Sequence, residues 1–124
     1  MNNLLEVMLQ IGFKELAPFG SRVVGCATEH SDYDYLVLVS HRPDGRQMEG
    51  TGFIPDAEDP MYGPDFSSWK NGKTNVIFTD SKDYFDATME ACAFCKEYEV
   101  YDKVDRCKVH DAYRALSKMA LIKE

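Results

Sequence analysis

Two aspartates separated by one tyrosine, Asp32 and Asp34, stand at the mouth of the apolar run YDYLVLVS, and the pair Gly20-Ser21 comes shortly before them. Alternate side chains of a strand point the same way, so an extended Asp32-Tyr33-Asp34 sends both carboxylates to one face within about 7 Å of each other. Like charges that close repel, a cost that is offset when a divalent cation sits between them or when one carboxyl keeps its proton. Carboxylate pairs with room for water and phosphate oxygens are a usual way of holding Mg²⁺. A Gly-Ser turn that opens a helix presents free backbone amides and the Ser21 hydroxyl to a phosphate, and Gly20 lets that phosphate approach the backbone. A phosphate cradle beside metal-binding carboxylates describes a nucleotide site. The bland alternative for the D-x-D alone is that Asp32 caps a turn and Asp34 is solvated at a strand end.

A second set of chemically able side chains lies near the end of the chain. Cys92-Ala-Phe-Cys95 and Cys107-Lys-Val-His110 have the pairwise spacing of a structural zinc site. On a helical wheel, however, Cys92 and Cys95 fall within the apolar stripe of Tyr84, Phe85, Thr88 and Ala91, where small buried thiols belong. The apolar face of the last helix reads as Val109, Ala112, Tyr113, Leu116 and Ala120, which leaves Cys107 nearly opposite the core and His110 on the flank. The four ligands then do not converge, and buried, reduced, metal-free thiols are expected. A thioredoxin-like role is disfavoured because the C-x-x-C lies well inside a helix. Lys103, Arg106, Lys108, Arg114, Lys118 and Lys123 on the same helix read as a solvated face, or as a patch that meets a nucleotide tail, RNA or an acidic partner.

These residues need elements to position them. Leu4, Leu5, Met8, Leu9 and Phe13 recur at helical spacing and predict a first helix of about three turns ending near Gly12. An extended piece from Glu15 to Phe19 and a brief helix from Ser21 to about Cys26 follow. Asp32 to Ser40 reads as a central strand. Four of the five prolines lie between Pro43 and Gly72. Within that irregular stretch, 50–55 reads as a short strand and DAEDPMYGPDFSSWKNG as a long loop, whose Tyr62, Phe66 and Trp69 would stack on a base, meet a partner or form the loop's own small core. Thr74 to Thr79 predicts a second confident strand. Two helices, about Ser81 to Tyr98 and Asp105 to Ile122, complete the chain, the first capped by Thr79, Asp80 or Ser81. The expectation is an α+β fold: one domain over residues 1–124, with a small mixed β-sheet and helices packed on it.

Length and composition set outer bounds. A chain of 124 residues with 44% hydrophobic content is sized for a single folded core. The N-terminal segment carries Glu6 inside its apolar stretch, and no apolar run reaches the roughly 18 residues of a membrane span. A cytoplasmic location and no membrane partner are therefore expected, with the four cysteines reduced. A formal net charge of −7 argues against general DNA binding.

Read as G-S-x-x-x-G-x-A-x-x-x-S-D-x-D, the residues Gly20, Ser21, Gly25, Ala27, Ser31, Asp32 and Asp34 resemble, without a gap, the signature of the DNA polymerase β-like nucleotidyltransferase superfamily in its small stand-alone branch. Arg22 fits the G-S-R variant of that signature. The ending from Phe78 onward resembles small nucleotidyltransferase-like proteins of bacterial viruses. The resemblance implies a nucleotidyltransferase-like fold that binds a nucleoside triphosphate, ATP first among them. It implies transfer of a nucleoside monophosphate to a protein hydroxyl or an RNA end. In that scheme Gly20, Ser21 and Arg22 hold the triphosphate, Asp32 and Asp34 hold Mg²⁺, and a third carboxylate serves a second ion and the attacking hydroxyl. The third position departs from the pattern, because Asn75 stands where the family places an acid. Asp80, about 16 Å away by strand rise, is a poor substitute, which leaves Asp56, Asp59 or Asp65 to swing in from the long loop. The alternative reading is a catalytically inactive module of the same fold, acting as a binding or inhibitory protein.

Overall fold

The computed structural model describes residues 3–56 and 65–123. It is an α+β arrangement built on a five-stranded mixed sheet, with strands β1 (Phe13–Phe19), β2 (Tyr33–Val39), β3 (Ile54–Pro55), β4 (Ser67–Asn71) and β5 (Thr74–Thr79) in the order β1-β2-β5-β4-β3. β2 and β5 run parallel, and the remaining neighbours are antiparallel. The helices are α1 (Leu4–Gln10), α2 (Ser21–Val24), α3 (Gly45–Met48), α4 (Lys82–Glu97) and α5 (Lys103–Lys123).

Strand alternation divides the core between the two faces of the sheet. Val37 and Val39 of β2, Val76 and Phe78 of β5 and Trp69 of β4 point to one face, where Val7 and Ile11 from the α1 region and Met48 of α3 cover them. Leu36 and Leu38 point to the other face and meet Tyr84 and Phe85 of α4, with Phe19, Phe66 and Ile77 packed alongside. Ser81 starts α4 as its N-cap, accepting a hydrogen bond from the Tyr84 amide. The apolar stripe expected for α4 is buried, and Cys92 and Cys95 lie in it.

Several boundaries differ from the sequence expectation. α1 has seven residues, about two turns, because Asn3 caps it and Gly12, at φ 76°, turns the chain straight into β1. Phe13, which shares the helical spacing, therefore opens a strand. The stretch read as one long loop ends in a strand, β4, pairing with β5 from Ser67↔Phe78 to Asn71↔Thr74. Trp69 is thus a core residue of the main sheet. Phe66 stacks on Tyr84 at 5.7 Å, while Tyr62 and Asp59 lie outside the described residues. The buried side of α5 also differs. Val109 and Tyr113 turn inward as expected, but so do Arg106, His110 and Arg114, whereas Leu116 is 59% exposed. α5 packs on α4, and its inward face carries polar groups: Arg114 donates to the Tyr84 hydroxyl at 3.2 Å.

Candidate functional site

β2 and α2 bring the two halves of the motif together. Phe19 at the end of β1 pairs in register with Asp34, so the turn that follows at Gly20 sits against the Asp34 side chain. A Cβ built on Gly20 would lie 2.3 Å from Asp34 Oδ2, and Gly20 has φ 82°. Two separate demands, a left-handed backbone and closeness to a carboxylate, thus require glycine there. Gly20 accepts the first backbone bonds of α2, from the Val23 and Val24 amides. Arg22 points back toward the loop that carries the aspartates: it donates to the Ser31 carbonyl at 2.8 Å, and its guanidinium lies 3.8 Å from the centre of the Tyr33 ring.

Asp32 and Asp34 share one face. Asn75 faces Asp34 across the parallel β2–β5 pair, and its Nδ2 donates to Asp34 Oδ1 at 3.0 Å and to Asp32 Oδ2 at 3.3 Å. On the far side Lys70 of β4 pairs in register with Asn75 and places Nζ 3.3 Å from the same Asp32 oxygen. A row of Asp34, Asn75 and Lys70 therefore runs across three strands, with Asp32 closing it at the mouth of β2. Burial pushes the Asp34 carboxyl above its ordinary value and Asp32 adds to the rise; the Asn75 hydrogen bond and the charges of Arg106 and Lys70 oppose it.

Beneath the Gly20 turn lies a layer that sequence reading did not assign to the site. Cys92 of α4 lies close to the Gly20 backbone, and its Sγ is 3.9 Å from His110 Nε2 of α5. Burial pushes both the Cys92 and Cys95 thiols up. Burial, helped by the charges of Arg114 and Arg106, pushes His110 down to about 4. Cys107 is exposed and stands apart from these groups. His110 turns inward to the Cys92 thiol and not to the helix flank, so these two residues meet where the sequence reading keeps them apart. The inward turn of Arg106 had no apolar periodicity to announce it.

Asp32 and Asp34 are the two acids that the sheet brings together here. Among the described residues no group of three or more His, Cys, Asp and Glu side chains is arranged to hold a metal. Asp80 pairs with Arg42 at 3.7 Å and Asp65 with Lys118 at 3.9 Å, and Asp56 is buried beside Ser68. None of these three joins Asp32 and Asp34. The Asn75 Oδ1 atom is buried without a hydrogen-bond partner, and a half-turn of the amide exchanges it with Nδ2, aiming an oxygen at the carboxylates. Asp32, Asp34 and Asn75 would then be a three-oxygen set of the kind Mg²⁺ takes. A cavity of about 110 Å³ among Asp65, Ser81, Asp83, Tyr84, Arg114 and Lys118 shares no lining residue with this set. No helix among the described residues is long and apolar enough to cross a membrane. Comparison of the chain with protein-family models, with curated proteins and with solved structures gave no match.

Proposed function

We propose that the chain binds a magnesium–nucleoside triphosphate complex, ATP first among candidates, at Asp32, Asp34 and the Gly20-Ser21 turn. We propose further that it transfers a nucleoside monophosphate to a protein or RNA acceptor only weakly. The observation that carries the reading is the convergence of both aspartates on the Asn75 amide, directly against a glycine whose backbone opens a helix. Asp32 and Asp34 would hold the ion, and the amides of the Gly20-Ser21 turn and the Ser21 hydroxyl would orient the phosphates. A bound Mg²⁺ would supply charge neutralisation and polarise the phosphate oxygens. Asn75 offers an oxygen but takes no proton from an attacking hydroxyl, so the step that needs a base lacks one. Loss of a general base is typically worth about 10²–10⁴ in rate.

Asn75 also favours a second reading, in which the fold has given up chemistry and serves as a binding or inhibitory module. Calorimetric titration with Mg-ATP, paired with a transfer assay using α-labelled nucleotide, separates the two. The first reading expects binding that Asp32→Ala abolishes, weak or undetectable transfer in the wild type, and a gain on Asn75→Asp that is lost when Asp32→Ala is added. Robust wild-type transfer refutes the impaired site, and no binding at any magnesium concentration leaves the module.

A further inference from the structure

One carboxylate oxygen of the Asp32–Asp34 pair is engaged twice by nitrogen donors. Asp32 Oδ2 accepts from Lys70 Nζ and from Asn75 Nδ2, both at 3.3 Å. The ammonium is held there by the sheet: Lys70 pairs in register with Asn75, and Asn75 with Asp34, so the three side chains share a face by strand geometry. The Lys70 and Asp32 side chains are 27% and 33% exposed, so water screens the pair less than it would at an open surface. A dication bound between Asp32 and Asp34 has to displace this ammonium or remain within a few ångströms of it, and either course costs electrostatic energy.

We infer that Lys70 is a resident counter-cation of the Asp32–Asp34 pair, which competes with a divalent ion for Asp32 and sets the affinity of the pair for free metal. Neutralisation by a side chain lets the sheet hold two adjacent carboxylates without an ion. The inference rests on the reading of Asp32 and Asp34 as a cation site. It goes beyond that reading by naming what opposes the cation.

The test uses Mn²⁺ alone, with no nucleotide, followed by the electron paramagnetic resonance signal of the free ion. Removing the charge, in Lys70→Met and in Lys70→Gln, is expected to tighten Mn²⁺ binding by about tenfold. Lys70→Gln keeps a hydrogen-bond donor for Asp32 and guards against a folding defect in Lys70→Met. Lys70→Arg, which keeps the charge, is expected to bind Mn²⁺ as the wild type does. Unchanged or weaker binding in both neutral variants overturns the inference, as does the absence of Mn²⁺ binding from every variant. Mg-ATP binding is read separately. Tighter Mn²⁺ binding in the neutral variants together with no Mg-ATP binding to the wild type upholds the competition and strikes the nucleotide reading.

Discussion

At the scale of single residues the site depends on Asn75 and Gly20. Asn75 donates to both aspartates at once, so replacing it removes two hydrogen bonds to charged acceptors. Asn75→Asp would also set a third carboxylate beside Asp32 and Asp34. In magnesium-free buffer we expect this variant to lose about 2 kcal/mol of stability. Millimolar Mg²⁺ should restore most of the loss, since the new carboxylate then faces a cation. Chemical denaturation with and without Mg²⁺ measures both, and a loss that Mg²⁺ leaves unchanged would count against a cation at this face. Gly20→Ala faces two obstacles, φ 82° and a Cβ 2.3 Å from Asp34 Oδ2. The expected cost is about 2 kcal/mol, together with loss of Mg-ATP binding, since Asp34 has to move. A variant as stable as the wild type would show that the turn is not pressed against Asp34.

At the scale of elements, the contact between α4 and α5 carries a pH dependence. His110 is pushed from its ordinary 6.5 down to about 4 by burial and by Arg114 and Arg106, with Asp111 opposing weakly. Its neighbour across the helix contact is the Cys92 thiol. A histidine whose folded value is depressed binds fewer protons in the folded than in the unfolded chain. Its contribution to stability is therefore complete above pH 6.5 and is lost as pH falls through the folded value near 4. Stability should decline on acidification across that window, and His110→Phe should flatten this part of the profile. Asp34 acts with the opposite sign: its raised folded value makes the group favour folding as pH falls, so it does not account for the decline. Urea unfolding of the wild type and of His110→Phe at intervals between pH 4 and pH 7 tests this, and equal slopes for the two proteins would refute it.

At the scale of the whole molecule, Trp69 ties the sheet to the helices on one face. It is 3% exposed and sits in the cluster with Val7, Ile11, Val37, Met48, Val76 and Phe78. As the single tryptophan, it should emit at short wavelength in the native state and shift red on unfolding. The shift should coincide with loss of far-ultraviolet circular dichroism, as expected of one cooperative core. Trp69→Ala should cost about 3–5 kcal/mol. A fluorescence transition that precedes the loss of secondary structure would mean that β4 and β3 detach from the sheet before the rest unfolds.

The sequence by itself determined the elements whose signals are local. The apolar β-branched run of β2, the Thr74–Thr79 strand, the capped start of α4 at Ser81 and the alternation that sends Asp32 and Asp34 the same way are all periodicities or short-range hydrogen bonds. The tertiary structure decided what depends on partners distant in the chain. β4 has a mixed sequence, SSWKN, and becomes a strand because β5 offers it a ladder. Lys70 reaches Asp32 through two strand pairings that no local pattern specifies. His110 and Arg114 turn inward to the Cys92 thiol and the Tyr84 hydroxyl of α4, although helical periodicity favoured Leu116, which is exposed. A strand's alternation fixes which way a side chain points, but only the packed sheet and helices fix what stands opposite it.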